Sequence, residues 1–164
     1  MKEIVQNGHP ALRQKSTEVP VSDITSPQIQ GIINDMAEAL LSQDDGVAIA
    51  APQIAVPLRI FVVSGLVFTP HGSDRHPDQV YINPKIIKLS HKKESLEEGC
   101  LSVRGTYGHI KRHKKATVEA YNENGDKFVK EGEGLLSQIF QHEINHLDGI
   151  LFIDNADELA HIDH

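Results

Sequence analysis

The stretch GLLSQIFQHEINHLDGILF, residues 134–152, contains the pattern H-E-x-x-H after apolar residues at helical spacing, which predict a helix. On a helix, His142 and His146 project from one face a turn apart, so two ring nitrogens can converge on one ion. Glu143 lies about 100° around the helix from His142, close enough to reach a water on that ion without binding the ion itself. The pattern therefore predicts a metal site with a glutamate base. The alternative is two ordinary helix histidines at this spacing, in a chain that has ten histidines.

A catalytic divalent site uses three protein ligands and one open position, so a third ligand is needed. One large class of metallopeptidases has a histidine where this chain has Phe152, which cannot bind metal. A glutamate further downstream could only be Glu158, in an acidic tail that we expect to be solvated. The third ligand is therefore expected upstream, and Cys100 in EEGCLSVRG is the candidate, although a lone cysteine is more often a small buried hydrophobe. A thiolate and two neutral imidazoles would leave a divalent ion about one positive charge, which suits both sulfur binding and acidification of a water.

Composition and charge restrict the class of protein. Of 164 residues, 39% are hydrophobic and 24% charged, and we expect a single domain over residues 1–164. No apolar run reaches the roughly 18 residues of a membrane span, and the start of the chain lacks a secretion signal or transit peptide. The single cysteine excludes an internal disulfide and fits a cytoplasmic protein. A net charge of −7 disfavours a direct nucleic-acid role, and the basic run KRHKK, residues 111–115, is interpreted as a solvated strand face rather than a phosphate-binding patch.

Segments rich in β-branched residues predict strands at residues 59–65 and 79–89. Residues 116–130 are predicted to form a hairpin, because the pair Asn124-Gly125 can supply the positive φ angles of a tight turn. These strands lie between two predicted helices, so they are expected to pair with one another in antiparallel fashion.

The first predicted helix lies in SPQIQGIINDMAEALLSQ, residues 26–43. Ser26 is a suitable N-cap, Pro27 suits the first helical position, and the apolar residues recur on one face. The predicted fold class is therefore α+β, with antiparallel β-sheets packed around a central HExxH helix and with an N-terminal amphipathic helix.

Three motifs in this order resemble those of peptide deformylases. The chain has GVAIAAPQ (residues 46–53), EGCLS (98–102) and HEINH (142–146), where the family has G-x-G-x-A-A-x-Q, E-G-C-x-S and H-E-x-D-H. The opening GHPALRQKSTEV, residues 8–19, is also similar to the N-terminal segment of the family, so the likeness spans nearly the whole chain. The resemblance implies removal of the formyl group from the N-terminal formylmethionine of nascent polypeptides, with release of formate.

The resemblance also implies roles for individual residues. The three candidate ligands, Cys100, His142 and His146, would hold the metal, which in this family is usually Fe²⁺, with Zn²⁺, Ni²⁺ or Co²⁺ able to replace it. Glu143 would be the general acid and base for a metal-activated water. The side-chain amide of Gln53 and the backbone N–H of Leu101 would stabilise the oxyanion, although without the resemblance a plain surface amide is the favoured interpretation of Gln53.

The substrate site is implied by the same resemblance. Residues 46–50 would offer backbone groups to an extended peptide, as an added strand does, and further positions would line the methionine pocket. For the pocket residues other than Gln138, simple core packing is the alternative. Arg112 falls where the family has an arginine that can pair with the motif glutamate. The predicted substrate-binding residues are Gly46, Val47, Ala48, Leu96, Glu98, Gly99, Leu135, Gln138 and Ile139.

Four positions depart from the family pattern. Ala48 replaces the middle glycine of the first motif, Asn145 replaces the aspartate of H-E-x-D-H, Arg104 stands where a proline is common, and Gln138 puts an amide into an often apolar lining. These departures leave two alternatives open: a metal hydrolase with an altered substrate, or a non-catalytic metal- or peptide-binding protein. The expected partners are formylmethionyl peptides, with at most transient contact with the ribosome, because the tail is short and acidic, and with no membrane.

Overall fold

Eight strands, two α-helices and five short 3-10 helices form the regular structure of residues 2–162, which are the residues that the computed structural model describes. The α-helices are α1 (Pro27–Leu41) and α2 (Leu135–Leu147). No helix in this part of the chain is long and apolar enough to cross a membrane. The strands are β1 (Ala48–Ala50), β2 (Ile60–Val63), β3 (Gln79–Leu89), β4 (Lys93–Glu98), β5 (Thr106–His113), β6 (Lys115–Tyr121), β7 (Lys127–Glu133) and β8 (Asp157–His161).

The strands form two sheets in which every pair of neighbouring strands is antiparallel. The larger sheet has the order β1-β2-β3-β6-β7, and the smaller sheet has the order β4-β5-β8. The predicted antiparallel sheets are therefore confirmed. Strand β3 coincides with the predicted strand at 79–89, and β6 and β7 are the two arms of the predicted hairpin. Strands β1, β4 and β8 were not predicted from the sequence, and β5 was predicted only in part, because residues 111–115 were interpreted as a strand face.

The larger sheet is covered on both faces, which explains why β2 is buried along its whole length. Successive side chains of a strand point to opposite faces. Ile60 and Val62 belong to an apolar cluster that contains the buried face of α1. Phe61 and Val63 belong to a second cluster that contains Phe140 of α2. The two helices therefore lie on opposite faces of this sheet, and β2 is a continuous apolar run because neither of its faces meets water.

Helix α1 begins where side-chain capping favours it. Pro27 occupies the first helical position, and the Ser26 hydroxyl accepts a hydrogen bond from the N–H of Ile29 at 3.3 Å. This bond satisfies one of the N–H groups that a helix start leaves without a partner.

Helix α2 is buried around most of its circumference, because strands of both sheets contact it. Two of its polar side chains bind the backbone of β5. The Ser137 hydroxyl donates to the His113 carbonyl at 2.8 Å. The Gln141 side chain accepts from the His113 N–H at 2.9 Å and donates to the same carbonyl at 2.9 Å. These bonds fix the helix against the end of β5 and orient the histidine pattern, which starts one residue after Gln141.

The turn of the hairpin differs from the prediction. The register of β6 and β7 leaves the five residues 122–126 in the loop. Gly125 has a φ of 84°, but Asn124 is not among the residues with positive φ. Instead, the side-chain oxygen of Asn122 accepts hydrogen bonds from the N–H groups of Asn124 and Asp126, at 2.9 and 3.0 Å. A longer loop organised by an asparagine side chain therefore replaces the two-residue turn.

The acidic tail and the basic run also need correction. The tail is exposed, as predicted, but it forms β8, which pairs with β5, and Glu158 contacts His109 there at 3.2 Å. In the basic run, residues 111–115, Arg112 is only 6% exposed and is therefore no part of a solvated face. The alternation of side chains along β5 turns Arg112 towards the interior and Lys111 towards solvent.

Gly149 is expected to be intolerant of a side chain. Its φ is 76°, and a Cβ at this position would lie 2.7 Å from the carbonyl oxygen of Arg13. We expect Gly149→Ala to lower the free energy of unfolding by about 3 kcal/mol, because it adds a steric conflict to the strain of a left-handed backbone. Urea denaturation measures this change. Gly125→Ala is the matched control: its φ is 84° but the space beside it is open, so about 1 kcal/mol is expected. Equal losses in the two variants would show that the contact with Arg13 contributes nothing.

Candidate metal centre

The three candidate ligands come from two parts of the chain. Cys100 lies in the turn between β4 and β5, and His142 and His146 lie on α2. Their ligating atoms are all within 4.8 Å of one another, and Cys100 Sγ is 3.2 Å from His146 Nε2. Donor atoms that surround one ion at about 2.0–2.3 Å lie about 3–4 Å apart, so the spacing of this group fits a single divalent ion.

The electrostatics of the group favour a cation. Burial would lower the pKa of His142, but the interactions with Glu143 and Cys100 outweigh burial and raise that pKa. Burial lowers the pKa of His146, and the neighbouring charge of His142 lowers it further. His146 therefore presents a neutral imidazole, the form that binds metal, in surroundings that attract positive charge.

A buried ion pair orients the His142 ring. Oε2 of Glu98 lies 2.6 Å from Nδ1 of His142, which leaves Nε2 of that ring for the metal. Arg112 donates to both carboxylate oxygens of Glu98, at 3.0 and 2.6 Å. Burial would raise the pKa of Glu98, but the hydrogen bonds and charges of His142 and Arg112 lower it to about 2. The carboxylate is therefore ionised and acts as an acceptor from His142.

Two of the residues that depart from the family pattern belong to this network. Asn145 accepts a hydrogen bond from Arg112 at 2.8 Å through its amide oxygen. The bond needs only an oxygen acceptor, so asparagine removes a negative charge without removing the contact. Gln138 donates to Glu98 Oε1 at 3.2 Å and to the Glu97 carbonyl at 3.1 Å. Its amide therefore adds a donor to the ion pair as well as a polar group to the pocket.

Phe152 packs against the ring of the candidate ligand His142. Its ring lies 6.3 Å from that of His142, at an interplanar angle of 29°. Phe152 is 2% exposed and belongs to an apolar cluster with Leu12 and Val103. The position that carries a third histidine in other metal sites is here part of the core that supports His142.

Glu143 is a buried carboxyl group next to the ligands. It is 3% exposed, and its Oε2 lies 3.6 Å from His142 Nε2. Its Oε1 has no hydrogen-bond partner among the described residues. Burial raises the pKa of Glu143 to about 7, although attraction to His142 opposes this. A carboxyl group with such a pKa can both accept and return a proton near neutral pH.

Polar groups surround the sulfur of Cys100. The N–H of Ser102 lies 3.4 Å from Sγ, and Nε2 of Gln53 lies 3.7 Å from Sγ and 3.1 Å from the Ser102 hydroxyl. Oε1 of Gln53 accepts from the N–H of Ala50 at 2.8 Å, which turns the NH₂ group towards the metal ligands. Gln53 is 1% exposed, so the alternative of a plain surface amide is wrong. The N–H of Leu101 donates no hydrogen bond to any residue in the range 2–162.

A cleft of about 300 Å³ opens beside these groups. Gly46 and Leu96, predicted to bind substrate, do not line it. Gly46 lies against Leu40 of α1, and Leu96 is paired with Ile110 of β5. The other predicted substrate residues line the cleft: Val47, Ala48, Glu98, Gly99, Leu135, Gln138 and Ile139.

Further lining residues were not predicted from the sequence as parts of the site. Tyr107 shows why, because its ring lies against Gly99, where a Cβ would be 2.7 Å from Tyr107 Cε1. This contact joins the end of β4 to β5, and no spacing in the sequence encodes it. Only Arg104 carried a signal, as a departure from the family pattern. The additional lining residues are Asp45, Glu97, Val103, Arg104, Gly105, Thr106 and Tyr107.

The fold and the donor set define a class of protein: an α+β protein with a site of the kind that metal-dependent hydrolases use. Comparisons with known proteins narrow this class. The family model described as polypeptide deformylase matches residues 1–161. Peptide deformylase 2 of Clostridium acetobutylicum is 44% identical over 147 residues, which are 90% of this chain and 89% of the relative.

Solved structures agree with this match. The crystal structure of a peptide deformylase from Legionella pneumophila has a TM-score of 0.83 and 36% identity, over 96% of this chain and 86% of that one. A Met-Ala-Ser-bound class I type b peptide deformylase from Acinetobacter baumannii has a TM-score of 0.83 at 27% identity, over 94% of this chain and 98% of that one. The chain belongs to the polypeptide deformylase family, whose members are metal-dependent hydrolases.

Proposed function

We propose that the protein hydrolyses the formamide of N-terminal formylmethionine on nascent polypeptides and releases formate. One observation carries the proposal: a thiol and two imidazoles converge, at the side of a cleft, beside a buried carboxyl oxygen that has no hydrogen-bond partner among residues 2–162. The family membership supports it, as does the peptide bound by the Acinetobacter baumannii relative, which is the deformylated form of such a substrate.

The residues present fit a divalent ion. Cys100, His142 and His146 would hold it, and the donor set of one sulfur and two nitrogens suits Fe²⁺, which the family resemblance implies, as well as Zn²⁺, Ni²⁺ or Co²⁺. When bound, the ion would lower the pKa of a coordinated water and so supply a nucleophile near neutral pH. Glu98 and Arg112 keep the His142 ring in the orientation that this requires.

Glu143 moves the proton. Its free Oε1 accepts the proton of the attacking water, and the carboxyl group holds it until the amide nitrogen leaves as an amine. A pKa of about 7 suits both steps, because neither the uptake nor the return of the proton is strongly uphill at neutral pH. The same residue is therefore general base and general acid.

Two N–H donors stabilise the negative charge that develops on the formyl oxygen. The NH₂ group of Gln53 is held towards the ligands by the bond between its oxygen and Ala50. The N–H of Leu101 has no other acceptor among residues 2–162. Donors fixed in advance of the reaction need no reorganisation when the charge forms, and this lowers the barrier.

The substrate lies in the cleft as an extended chain. Within the described part of the chain, β1 is paired on one side only, with β2, so its other edge offers backbone groups to a peptide. The methionine side chain lies against Leu135, Gln138 and Ile139 of α2. We further propose that residues 1–164 act as one domain in the cytoplasm and that contact with the ribosome is at most transient.

Formate release tests the proposal. Protein prepared without oxygen and loaded with Fe²⁺ is incubated with formyl-Met-Ala-Ser, with acetyl-Met-Ala-Ser and with formyl peptides that begin with other residues. We expect formate from formyl-Met-Ala-Ser at the highest rate. Faster hydrolysis of another acyl group or first residue would favour a hydrolase with a different substrate. Tight binding of peptide without turnover under Fe²⁺, Zn²⁺, Ni²⁺ and Co²⁺ would favour a binding protein.

Gln53→Ala is expected to lower kcat for formate release about 100-fold, because one donor to the oxyanion is lost. Gln53→Glu should lose a similar amount, since it keeps the acceptor for the Ala50 N–H but has no N–H to donate. Gln14→Ala, at an exposed position outside the cleft, is the matched control. Metal content is measured in parallel. A kcat for Gln53→Ala equal to that of the control would exclude the donor role.

A further inference from the structure

An ion pair bridges the two sides of the cleft. Asp45 precedes β1 of the larger sheet, and Arg104 follows Cys100 and precedes β5 of the smaller sheet. The Arg104 guanidinium donates to both carboxylate oxygens of Asp45, at 3.2 and 3.0 Å, and also to the side-chain oxygen of Gln43. The backbone N–H of Arg104 donates to the side chain of Gln6 at 3.2 Å, which anchors this segment.

The pair lies where the proposed substrate leaves the metal centre. Gln53 contacts both Ala50 and Cys100, so the Ala50 end of β1 is the end near the metal. Asp45 is five residues before Ala50. Asp45 itself lies in the turn before β1 and lines the same cleft as Gln53 and Cys100, so a peptide that runs along β1 away from the metal approaches it. A peptide whose formyl group is at the metal therefore brings its second and third side chains to Asp45 and Arg104.

Arg104 and Asp45 carry opposite charges that cancel each other, and a bound substrate can reach both side chains. The side chains of Arg104 and Asp45 are 38% and 60% exposed, so a bound peptide can contact either of them. Glu98, also in the cleft, is already matched by Arg112. Glu97 has no ion-pair partner among residues 2–162, so its negative charge is present in the cleft whichever of the two partners is replaced. Without Arg104, the unmatched negative charge of Asp45 would add to that of Glu97, and the cleft would attract basic side chains of the substrate.

We propose that Arg104 is a specificity-determining residue that makes the cleft nearly indifferent to the charge of the substrate residues behind the methionine. The inference rests on the proposed deformylase function and adds to it. The family often has a proline where this chain has Arg104, and proline brings no charge. Neutralisation of Asp45 across the cleft suits an enzyme whose substrates share only their first residue.

The test compares amidated formyl-Met-Ala-Lys with formyl-Met-Ala-Glu, as the ratio of their kcat/KM values within each variant. Arg104→Ala should raise the Lys-to-Glu ratio about 5-fold over wild type, and Asp45→Asn should lower it about 5-fold, as expected for partly exposed charges. The double variant should return close to the wild-type ratio. The change should lie in KM and should shrink at high salt, because mobile ions screen exposed charges.

Arg104→Lys separates charge from shape, since it keeps the positive charge and should keep the wild-type ratio. A ratio in Arg104→Lys that shifts as far as in Arg104→Ala would overturn the inference, and so would unchanged ratios in both single variants. In those cases formate release from formyl-Met-Ala-Ser still supports the proposed function. If no variant and no wild-type protein releases formate from any peptide, the proposed function fails and the inference fails with it.

Discussion

Glu143→Gln lowers kcat/KM for formate release by about 10³-fold, while the protein keeps its divalent ion; this is the result that we expect. Glutamine has the shape of glutamate but cannot accept the proton of the attacking water. Glu143 is not in the ligand group of Cys100, His142 and His146, so its replacement leaves all three candidate ligands in place. A neutral amide is also easier to bury than a carboxylate, so the variant is expected to fold.

Two measurements decide this prediction: formate release and metal content of the same preparation. Glu131→Gln, on the exposed face of β7, is the control for the loss of a carboxylate elsewhere. Wild-type activity in Glu143→Gln would remove the glutamate from the proton transfer. Loss of the ion together with the activity would instead assign Glu143 to metal binding.

Cys100→Ser is expected to weaken metal binding by more than about 100-fold and to abolish activity with it. Residues that merely orient a ligand already contribute about 10–100-fold, and a direct ligand contributes more. A serine hydroxyl stays neutral at pH 7, so the ion would lose a negative donor as well as the soft sulfur atom. His146→Ala should behave in the same way, because its Nε2 lies 3.2 Å from Cys100 Sγ.

Equilibrium dialysis with metal analysis measures the affinity, and thermal unfolding gives an independent readout. An ion that binds only the folded protein raises the midpoint of unfolding, so added Zn²⁺ should raise the melting temperature of wild type but not of Cys100→Ser. His91→Ala, at an exposed position, is the control and should respond like wild type. Wild-type affinity in Cys100→Ser would show that sulfur is not a ligand.

Local patterns in the sequence were sufficient for much of the fold. Ser26 and Pro27 predict the start of α1, and the β-branched run at 79–89 has the bounds of β3, because capping and strand propensity act over a few neighbouring residues. Strand β8 could not be predicted in this way. Its residues are exposed and acidic, and it is a strand only because β5 offers an edge to pair with.

In the candidate site, too, local patterns could be predicted from the sequence and long-range contacts could not. The spacing of His142 and His146 is a property of one helix, whereas the approach of Cys100 to them had to be argued from the lack of any other ligand. Long-range contacts explain why the lining of the cleft differs from the predicted residues. Gly46 is turned against α1, although its motif was expected to bind substrate, and Tyr107 reaches the cleft only because Gly99 has no side chain.

The order of the ligands along the chain has a consequence for when the ion is acquired. Cys100 is synthesised first, but both imidazoles come from α2, and the second of them is residue 146 of 164. A partly translated chain that ends before α2 therefore has the sulfur donor but neither imidazole. If these three residues hold the ion as proposed, cation loading waits until α2 has been synthesised, and a translation product that stops before residue 142 lacks two of the three ligands.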